Sequence, residues 1–193
     1  MLNYQEVYEQ IKNEFCNTCD LRTIELQISG KNACFFYIDG YIDTLLFESN
    51  MLKPLKRLDN IDVVDINVLN ANTMFTTPIE EIHDVNKAIA EIACGEIILL
   101  VDSSECFFRY SEKKYTLRAI SEPPVSTVLR GPREGFVEDL KTNMFLIRRR
   151  MASPKLVIDT ISVGKYTQTK VAMCFIDGVA DGDVVGRIKK KIE

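Results

Sequence analysis

This sequence contains almost no histidine and no tryptophan. Its 193 residues include a single histidine, His83, and no tryptophan. A catalytic triad that uses a histidine would depend on His83, and metal sites built from several histidines are excluded. Because His83 follows two glutamates, we expect it on an exposed turn of a helix. We therefore predict a protein that is not an enzyme and that uses no metal and no cofactor.

Long apolar segments are also missing. A run such as Ile97–Val101 has the length of a strand, whereas a membrane-spanning helix needs about 20 apolar residues. Residues 1–6 carry neither the basic nor the apolar part of a secretory signal. Four of the six cysteines lie inside apolar runs, which favours reduced, buried thiols in a cytosolic compartment over disulfides. The cysteines are Cys16, Cys19, Cys34, Cys94, Cys106 and Cys174.

The net charge of −4 is divided unequally along the chain. Residues 1–129 contain 11 basic and 20 acidic side chains, whereas residues 130–193 contain 13 basic and 8 acidic ones. The two parts could attract each other, or the basic part could face anionic lipid or an acidic partner. The acidic balance and the lack of a basic stripe with interleaved aromatics argue against binding to nucleic acid.

Hydrophobic periodicity predicts a mixed α/β (α+β) protein with two small mixed-sheet subdomains. Pro123 and Pro124 place a linker at residues 121–131, between a subdomain at 1–120 and a second at 132–193 that we expect to be truncated at its C-terminus. The predicted helices are 4–15, 41–58 with an interruption at Pro54, 78–94 with Thr77 as its cap, 132–150 and 183–192. The predicted strands are 23–28, 33–38, 61–69, 96–101, 106–110, 115–120, 156–163 and 169–176.

A short segment occurs twice in the chain. Residues 37–43 (Tyr-Ile-Asp-Gly-Tyr-Ile-Asp) match residues 175–181 (Phe-Ile-Asp-Gly-Val-Ala-Asp), and each copy follows a predicted hairpin and precedes a predicted helix. Glycine permits a tight turn in this position, and the second aspartate is suited to cap the helix. Although a match this short can arise by chance, the shared context predicts that the two subdomains share a ββα unit.

The most distinctive run is Arg130-Gly131-Pro132-Arg133-Glu134-Gly135-Phe136. Two arginines flank a Gly-Pro step that opens a helix, which is compatible with an anion site at the helix N-terminus. The alternative, which we favour, is structural: the arginines pair with carboxylates such as Glu122 or Glu134. Arg148, Arg149 and Arg150 are expected to form a solvated last turn of the same helix.

Cys16 and Cys19 have the CxxC spacing of redox and zinc sites. They follow a predicted helix and precede a predicted strand, which is the reverse of the thioredoxin-like order, and a zinc site needs two further ligands. We therefore expect neither redox nor zinc chemistry at this pair.

Several motifs together resemble the A subunits of bacterial spore germination receptors. The central motif consists of Glu122-Pro123, the run at 130–136, then Glu138, Leu140, Asn143 and Ile147–Arg150. One departure is that no acidic residue lies between Glu122-Pro123 and the arginine run. The resemblance extends over nearly the whole chain, through Ile38-Asp39-Gly40, Asp43, Lys53-Pro54-Leu55, Arg118–Pro123, Leu156, Val163-Gly164, Thr169–Ala172 and Ile176–Asp181.

The resemblance implies a subunit with a large hydrophilic N-terminal region, several membrane spans and a C-terminal tail. Such subunits assemble with B and C subunits in the spore inner membrane, sense nutrient germinants and trigger ion release at the start of germination. This chain would be most of the N-terminal region, on the spore core side. The motif residues would then serve in binding or interaction.

Two functions remain open for such a region. It could take part in receptor assembly and signal relay, including self-association through the full-length protein. Alternatively, it could bind a germinant or another metabolite in a cleft between the two subdomains. A ligand that stabilises the native state on titration would favour the second function.

Overall fold

The computed structural model describes residues 3–59, 61, 63–74, 78–112 and 135–192. We call residues 3–112 the first half and residues 135–192 the second half. The first half is built around a five-stranded antiparallel sheet with the strand order β1-β2-β4-β5-β3. The second half contains a two-stranded antiparallel sheet of β6 and β7. The mixed α/β class predicted from the sequence is confirmed, but the expectation of mixed sheets is wrong, because all strand pairs in the described residues are antiparallel.

The first half begins with helix α1 (Tyr4–Glu14), which leads into a hairpin of β1 (Leu21–Ile28) and β2 (Lys31–Ile38). Ser29 and Gly30 form its two-residue turn with φ angles of 51° and 78°. Positive φ at both positions is typical of the type I′ turn, whose twist matches that of the strands. The predicted hairpin is confirmed, with both strands two residues longer at their N-terminal ends.

The sheet continues through β4 (Ile97–Val101), β5 (Phe107–Tyr110) and the short edge strand β3 (Glu80–Ile82). Every residue of β4 is buried, as expected for a strand covered on both faces. Phe36 of β2 contacts Tyr8 of α1, and its neighbour Phe35 contacts Phe47 on the opposite face. The core therefore lies on both sides of the central strands.

Helices cover the two faces of this sheet. Helix α1 lies beside α5 (Val85–Ala93), and both pack on the central strands. The opposite face carries α2 (Thr44–Phe47), a π-helical stretch (Glu48–Leu52) and α3 (Lys53–Leu55) in continuous succession. The helical segment predicted at 41–58 is thus shorter, at 44–55. The chain stays helical through Pro54, which lies two residues after the π-helical stretch, so the expected interruption there is wrong.

The second half repeats the local order of the first. Helix α6 (Leu140–Arg150) leads into β6 (Leu156–Val163) and β7 (Thr169–Ile176), followed by α7 (Gly182–Ile192). Asp43 accepts hydrogen bonds from the backbone of Leu45 and Leu46, and Asp181 accepts them from Asp183 and Val184. The shared ββα unit and the capping role of both aspartates, predicted from the repeated segment, are confirmed.

Two predictions in the middle of the chain are wrong. The strand expected at 61–69 is replaced by helix α4 (Ile66–Asn72), because Asp65 caps it by accepting from the Val68 amide at 2.8 Å. The helix expected at 78–94 begins at Val85 with Asp84 as its cap, and residues 80–82 form β3 instead. His83 is exposed between these two elements. Thr77, the expected cap, lies outside the described residues.

The helix expected at 132–150 begins only at Leu140. Asp139 caps it by accepting from the Thr142 amide at 2.8 Å, so Glu138 and Phe136 precede the helix. Phe136, before the helix, is exposed, whereas Leu146 of α6 is buried. The predicted linker at 121–131 and the strand at 115–120 lie outside the described residues. Among the residues that the structure describes, no helix is long and apolar enough to cross a membrane.

Candidate functional site: the junction of the two halves

Arg148 is the centre of the contact between the two halves. Its side chain is fully buried on α6, and its Nε and Nη2 donate to Asp20 Oδ2 and Oδ1 of the first half, both at 2.8 Å. Nη1 donates to the Ser153 carbonyl at 2.7 Å, and Nη2 also donates to the Leu156 carbonyl at 2.8 Å. The expectation that Arg148 lies in a solvated last turn is therefore wrong.

The geometry explains why a charge can be buried here. A guanidinium presents its N–H groups in a fixed planar fork that matches a carboxylate at two points. Asp20 supplies the opposite charge, and the carbonyls of Ser153 and Leu156 accept hydrogen bonds from the N–H groups that do not face the carboxylate. Desolvating two ions is costly, so such a pair persists only when both partners are held in place.

Thr18 holds Asp20 in this position. Its hydroxyl donates to Asp20 Oδ1 at 2.5 Å and accepts from the Ile158 amide of β6 at 2.9 Å. The Cys19 amide donates to the Ile158 carbonyl at 2.9 Å. Residues 18–20 of the first half are therefore fastened to β6 at Ile158 by a backbone and a side-chain hydrogen bond.

A second contact is aromatic. Phe145 of α6 packs edge-on against Tyr41, with ring centroids 4.9 Å apart. Tyr41 in turn covers Gly95, where an added Cβ would overlap the tyrosine ring, and the φ of 91° at Gly95 also favours glycine. Burial raises the pKa of Tyr41 to about 12, so its hydroxyl stays neutral under ordinary conditions. This column of side chains connects the core of the first half to α6.

Two outer ion pairs flank the buried one. Lys141 of α6 lies 3.7 Å from Asp39, which also pairs with Arg22 at 3.1 Å. Lys155 of the second half pairs with Glu14 at the end of α1 at 3.3 Å. The helix that precedes each hairpin thus contacts the hairpin of the other half. Helix α6 binds Asp20 and Asp39, which flank the first hairpin, and the end of α1 binds Lys155, which precedes the second hairpin.

A small cavity lies within the junction. It measures about 40 Å³ and is lined by Asp20, Asp39, Gly40, Lys141, Met144 and Phe145. A water needs roughly 10–15 Å³ by this kind of measure, whereas pockets for drug-sized ligands are about 300 Å³ or larger. In the arrangement described, the cavity accommodates a few waters at most.

The other motif residues within the described part of the chain have distinct positions. Asn143 Oδ1 accepts from the Val137 amide at 2.8 Å, and Asn143 Nδ2 donates to the Val137 carbonyl at 2.7 Å, which ties the segment before α6 to the helix. Arg149 lies over the Phe145 ring at 5.8 Å. Arg150 and Phe136 are exposed and Gly135 is half-buried. Glu122, Pro123 and the run Arg130–Glu134 lie outside the described residues.

The residues that the sequence failed to indicate are Thr18 and Asp20. No local pattern marks them, since both lie in an ordinary polar turn before a strand. Arg148, which binds Asp20, is 128 residues further along the chain. The adjacent thiols, Cys16 and Cys19, each have a pKa raised mainly by burial, which disfavours the thiolate that redox and nucleophilic chemistry needs.

Comparison with solved structures establishes the fold of the chain. It resembles the crystal structure of the N-terminal domain of the A subunit of the Bacillus megaterium spore germinant receptor GerK3. The TM-score is 0.73 over 96% of this chain and 69% of that chain, at 21% sequence identity. At this identity the likeness defines the class of fold and nothing further.

Sequence comparison establishes the family. Residues 9–193 match the Bacillus/Clostridium GerA spore germination protein family, and the chain belongs to it. It is 29% identical over 166 residues to spore germination protein B1 of Bacillus subtilis (strain 168), which covers 86% of this chain and 34% of that protein. It is 26% identical over 188 residues to spore germination protein KA of the same organism, which covers 95% of this chain and 35% of that protein. The chain thus spans about a third of the length of these relatives, and the resemblance inferred from its motifs is confirmed.

Proposed function

We propose that this region acts in a germinant receptor A subunit as a coupling element that relays a signal between its two halves and supports receptor assembly. It does so without catalysis, in complex with B-type and C-type subunits. The full-length protein would reside in the spore inner membrane, with this region on the spore core side. The observation that carries the proposal is the buried pair of Arg148 and Asp20 across the junction.

A buried bidentate pair is suited to a relay because it is either formed or broken. Removing one partner of such a pair leaves an uncompensated buried charge, at a cost of about 3–5 kcal/mol. Contacts of this kind make an interface bistable, so that a small displacement on one side is transmitted as a rigid change on the other. The Tyr41–Phe145 contact extends the same coupling into the core of the first half.

The arginine run Arg130–Glu134 and the preceding Glu122-Pro123 belong to the same proposal. They connect the two halves in sequence, and Asn143 ties the end of this segment to α6 through Val137. We assign the run to interaction with neighbouring subunits. The exposed Phe136, next to this tie, offers an apolar group for such a contact.

Germination of spores that carry full-length receptor variants tests the relay. Arg148→Ala should slow nutrient-triggered germination at least about tenfold, since the junction would lose its central contact. Arg148→Lys keeps the charge but loses the two-point geometry, so it should fall between Arg148→Ala and the wild type. Arg57→Ala, which removes an exposed arginine of the first half that is not among the motif residues, is the matched control. Unchanged germination with Arg148→Ala present at normal abundance would refute the relay.

A second function, binding of a small-molecule germinant at the junction, is supported by the cavity between the halves. Its wall carries opposite charges on Asp39 and Lys141, which suits a zwitterionic ligand. At about 40 Å³ it admits such a ligand only if the halves separate and the Lys141–Asp39 contact opens. Calorimetric titration of the chain with amino acids, sugars, nucleosides and inorganic ions tests this. A saturable isotherm that Lys141→Ala abolishes supports binding, and silence across the panel favours relay alone.

A further inference from the structure

A larger cavity lies in the first half, among residues that take no part in the junction. It measures about 320 Å³, within the size range of small-molecule sites. Its walls are the β4–β5 connection, the segment that precedes α4, and the strands next to them. Four lining residues form an apolar floor and are at most 7% exposed: Val64, Val101, Cys106 and Phe108.

The β4–β5 connection is held in a defined shape. The Ser104 hydroxyl donates to the Cys106 carbonyl at 3.0 Å and accepts from the Cys106 amide at 3.3 Å. The Asp102 amide donates to the Asn32 carbonyl at 2.8 Å, which fastens the connection to the start of β2. Ser103 between them has a φ of 65°. The wall of the cavity is therefore set by the fold of the chain before any ligand binds.

The charged residues that line the cavity are mostly acidic. Asp65, Glu81, Asp102 and Glu105 line it, with Lys31 as the basic residue among the described lining residues. Burial raises the pKa of the Cys106 thiol, and Glu81 and Glu105 add to this rise, which places both carboxylates within electrostatic reach of the floor. The field inside the cavity consequently favours a cation.

The carboxylates surround the cavity without converging on a point. In the described residues, no three histidine, cysteine, aspartate or glutamate side chains form a group that could hold a metal ion. A buried apolar floor beneath dispersed negative charge instead matches a molecule that combines an ammonium group with a short hydrocarbon part. The apolar part would displace water from Val64 and Phe108, while the ammonium group stays among the carboxylates.

We propose that this cavity, between the β4–β5 connection and the segment before α4, binds an organic cation of the primary-amine class. The site is separate from the junction and is formed by the first half alone. Binding at this cavity does not depend on the relay function. Germination of receptor variants tests the relay, whereas ligand titration of the chain tests the cavity.

Amide chemical shifts of the 193-residue chain test the proposal, with n-butylammonium as the probe. The ion should shift the amide signals of residues 102–106 in a saturable manner at concentrations up to about 20 mM, which covers millimolar affinities. 1-Butanol has the same hydrocarbon part without the charge, and butyrate carries the opposite charge. Both should bind at least about tenfold more weakly, and added salt should weaken butylammonium binding.

The double variant Glu81→Gln/Glu105→Gln removes two charges at exposed positions with little change in shape. It should weaken butylammonium binding about fivefold, as expected for two partly solvated charges. Glu6→Gln/Glu9→Gln on α1 is the matched control and should leave the affinity unchanged. Three results would overturn the proposal: no saturable shifts at residues 102–106, equal binding of butanol, or unchanged affinity in the Glu81/Glu105 variant.

Discussion

The Arg148–Asp20 pair permits a quantitative test of how strongly the two halves are coupled. Arg148→Met removes the charge and keeps an unbranched side chain of similar length. Asp20 would then remain buried without its counter-ion, at 4% exposure, and its bonds to Arg148 at 2.8 Å would be lost. We expect the free energy of unfolding to fall by about 3–5 kcal/mol.

Urea denaturation followed by circular dichroism is the suitable assay, because the chain has no tryptophan for fluorescence. For an m value of about 2 kcal/mol/M, the loss corresponds to a midpoint lower by about 2 M. Arg150→Met, on the exposed side of the same helix end, should change the midpoint little. If the two halves unfold separately in the variant, a second transition will appear, which itself reports the lost coupling.

A double-mutant cycle separates the pair from the general effect of each substitution. Asp20→Asn alone should also destabilise the chain, because Arg148 then lacks its counter-ion. The double variant should be less destabilised than the sum of the single variants by about 1–3 kcal/mol, since neither charge remains buried alone. An additive cycle, or a loss under about 1 kcal/mol for Arg148→Met, would show that the pair does not hold the junction.

Three further predictions concern Gly95, Asn143 and Arg133. Gly95→Ala should lower the unfolding free energy by about 2–4 kcal/mol, because its φ of 91° is unfavourable for alanine and the new methyl group overlaps Tyr41. An unchanged melting temperature in calorimetry would contradict this. Asn143→Ala removes both hydrogen bonds to Val137 and should cost about 1–2 kcal/mol, with faster hydrogen exchange of the Val137 amide as the readout and unaltered exchange as the opposing result. Arg133→Glu in the full-length receptor should abolish nutrient-triggered germination without unfolding the subunit, and normal germination from normally expressed receptor would disprove it.

The reciprocal contacts at the junction follow from the internal repeat. Both halves place a helix before a hairpin and an Asp-Gly turn after it, at Asp39-Gly40 and Asp177-Gly178. In each half the aspartate of this turn donates its amide to the carbonyl of the residue before its own hairpin, Asp39 to Asp20 and Asp177 to Lys155. Asp20 then pairs with Arg148 of α6, and Lys155 pairs with Glu14 of α1. Equivalent segments thus contact each other across the junction, although the residues that form the contacts differ. Only the first half adds further strands to its hairpin among the described residues.

Two errors in the interpretation of the sequence have identifiable structural causes. The alternating apolar residues at 61–69 are compatible with a strand, but the Asp65 cap and the tertiary position of Leu69, which is fully buried, select a helix. Similarly, Pro78 followed by two glutamates is typical of a helix start, yet Glu80–Ile82 pairs with β5 as an edge strand. In the first case a local cap and the burial of Leu69 outweighed the alternating pattern, and in the second a long-range strand pairing outweighed the local helix signal.

The sequence alone determined the hairpins, the helices α1 and α7, and both capped Asp-Gly turns. These features depend on residues close together in the chain, so periodicity, turn residues and caps suffice to predict them. The family could also be inferred from the motif around Arg130–Arg150. Only the tertiary structure decided that Arg148 is buried, since in sequence it is one of three adjacent arginines at a helix end. Its partner Asp20 lies in the other half, and a contact over such a separation leaves no local signal because it arises from the packing of the two halves.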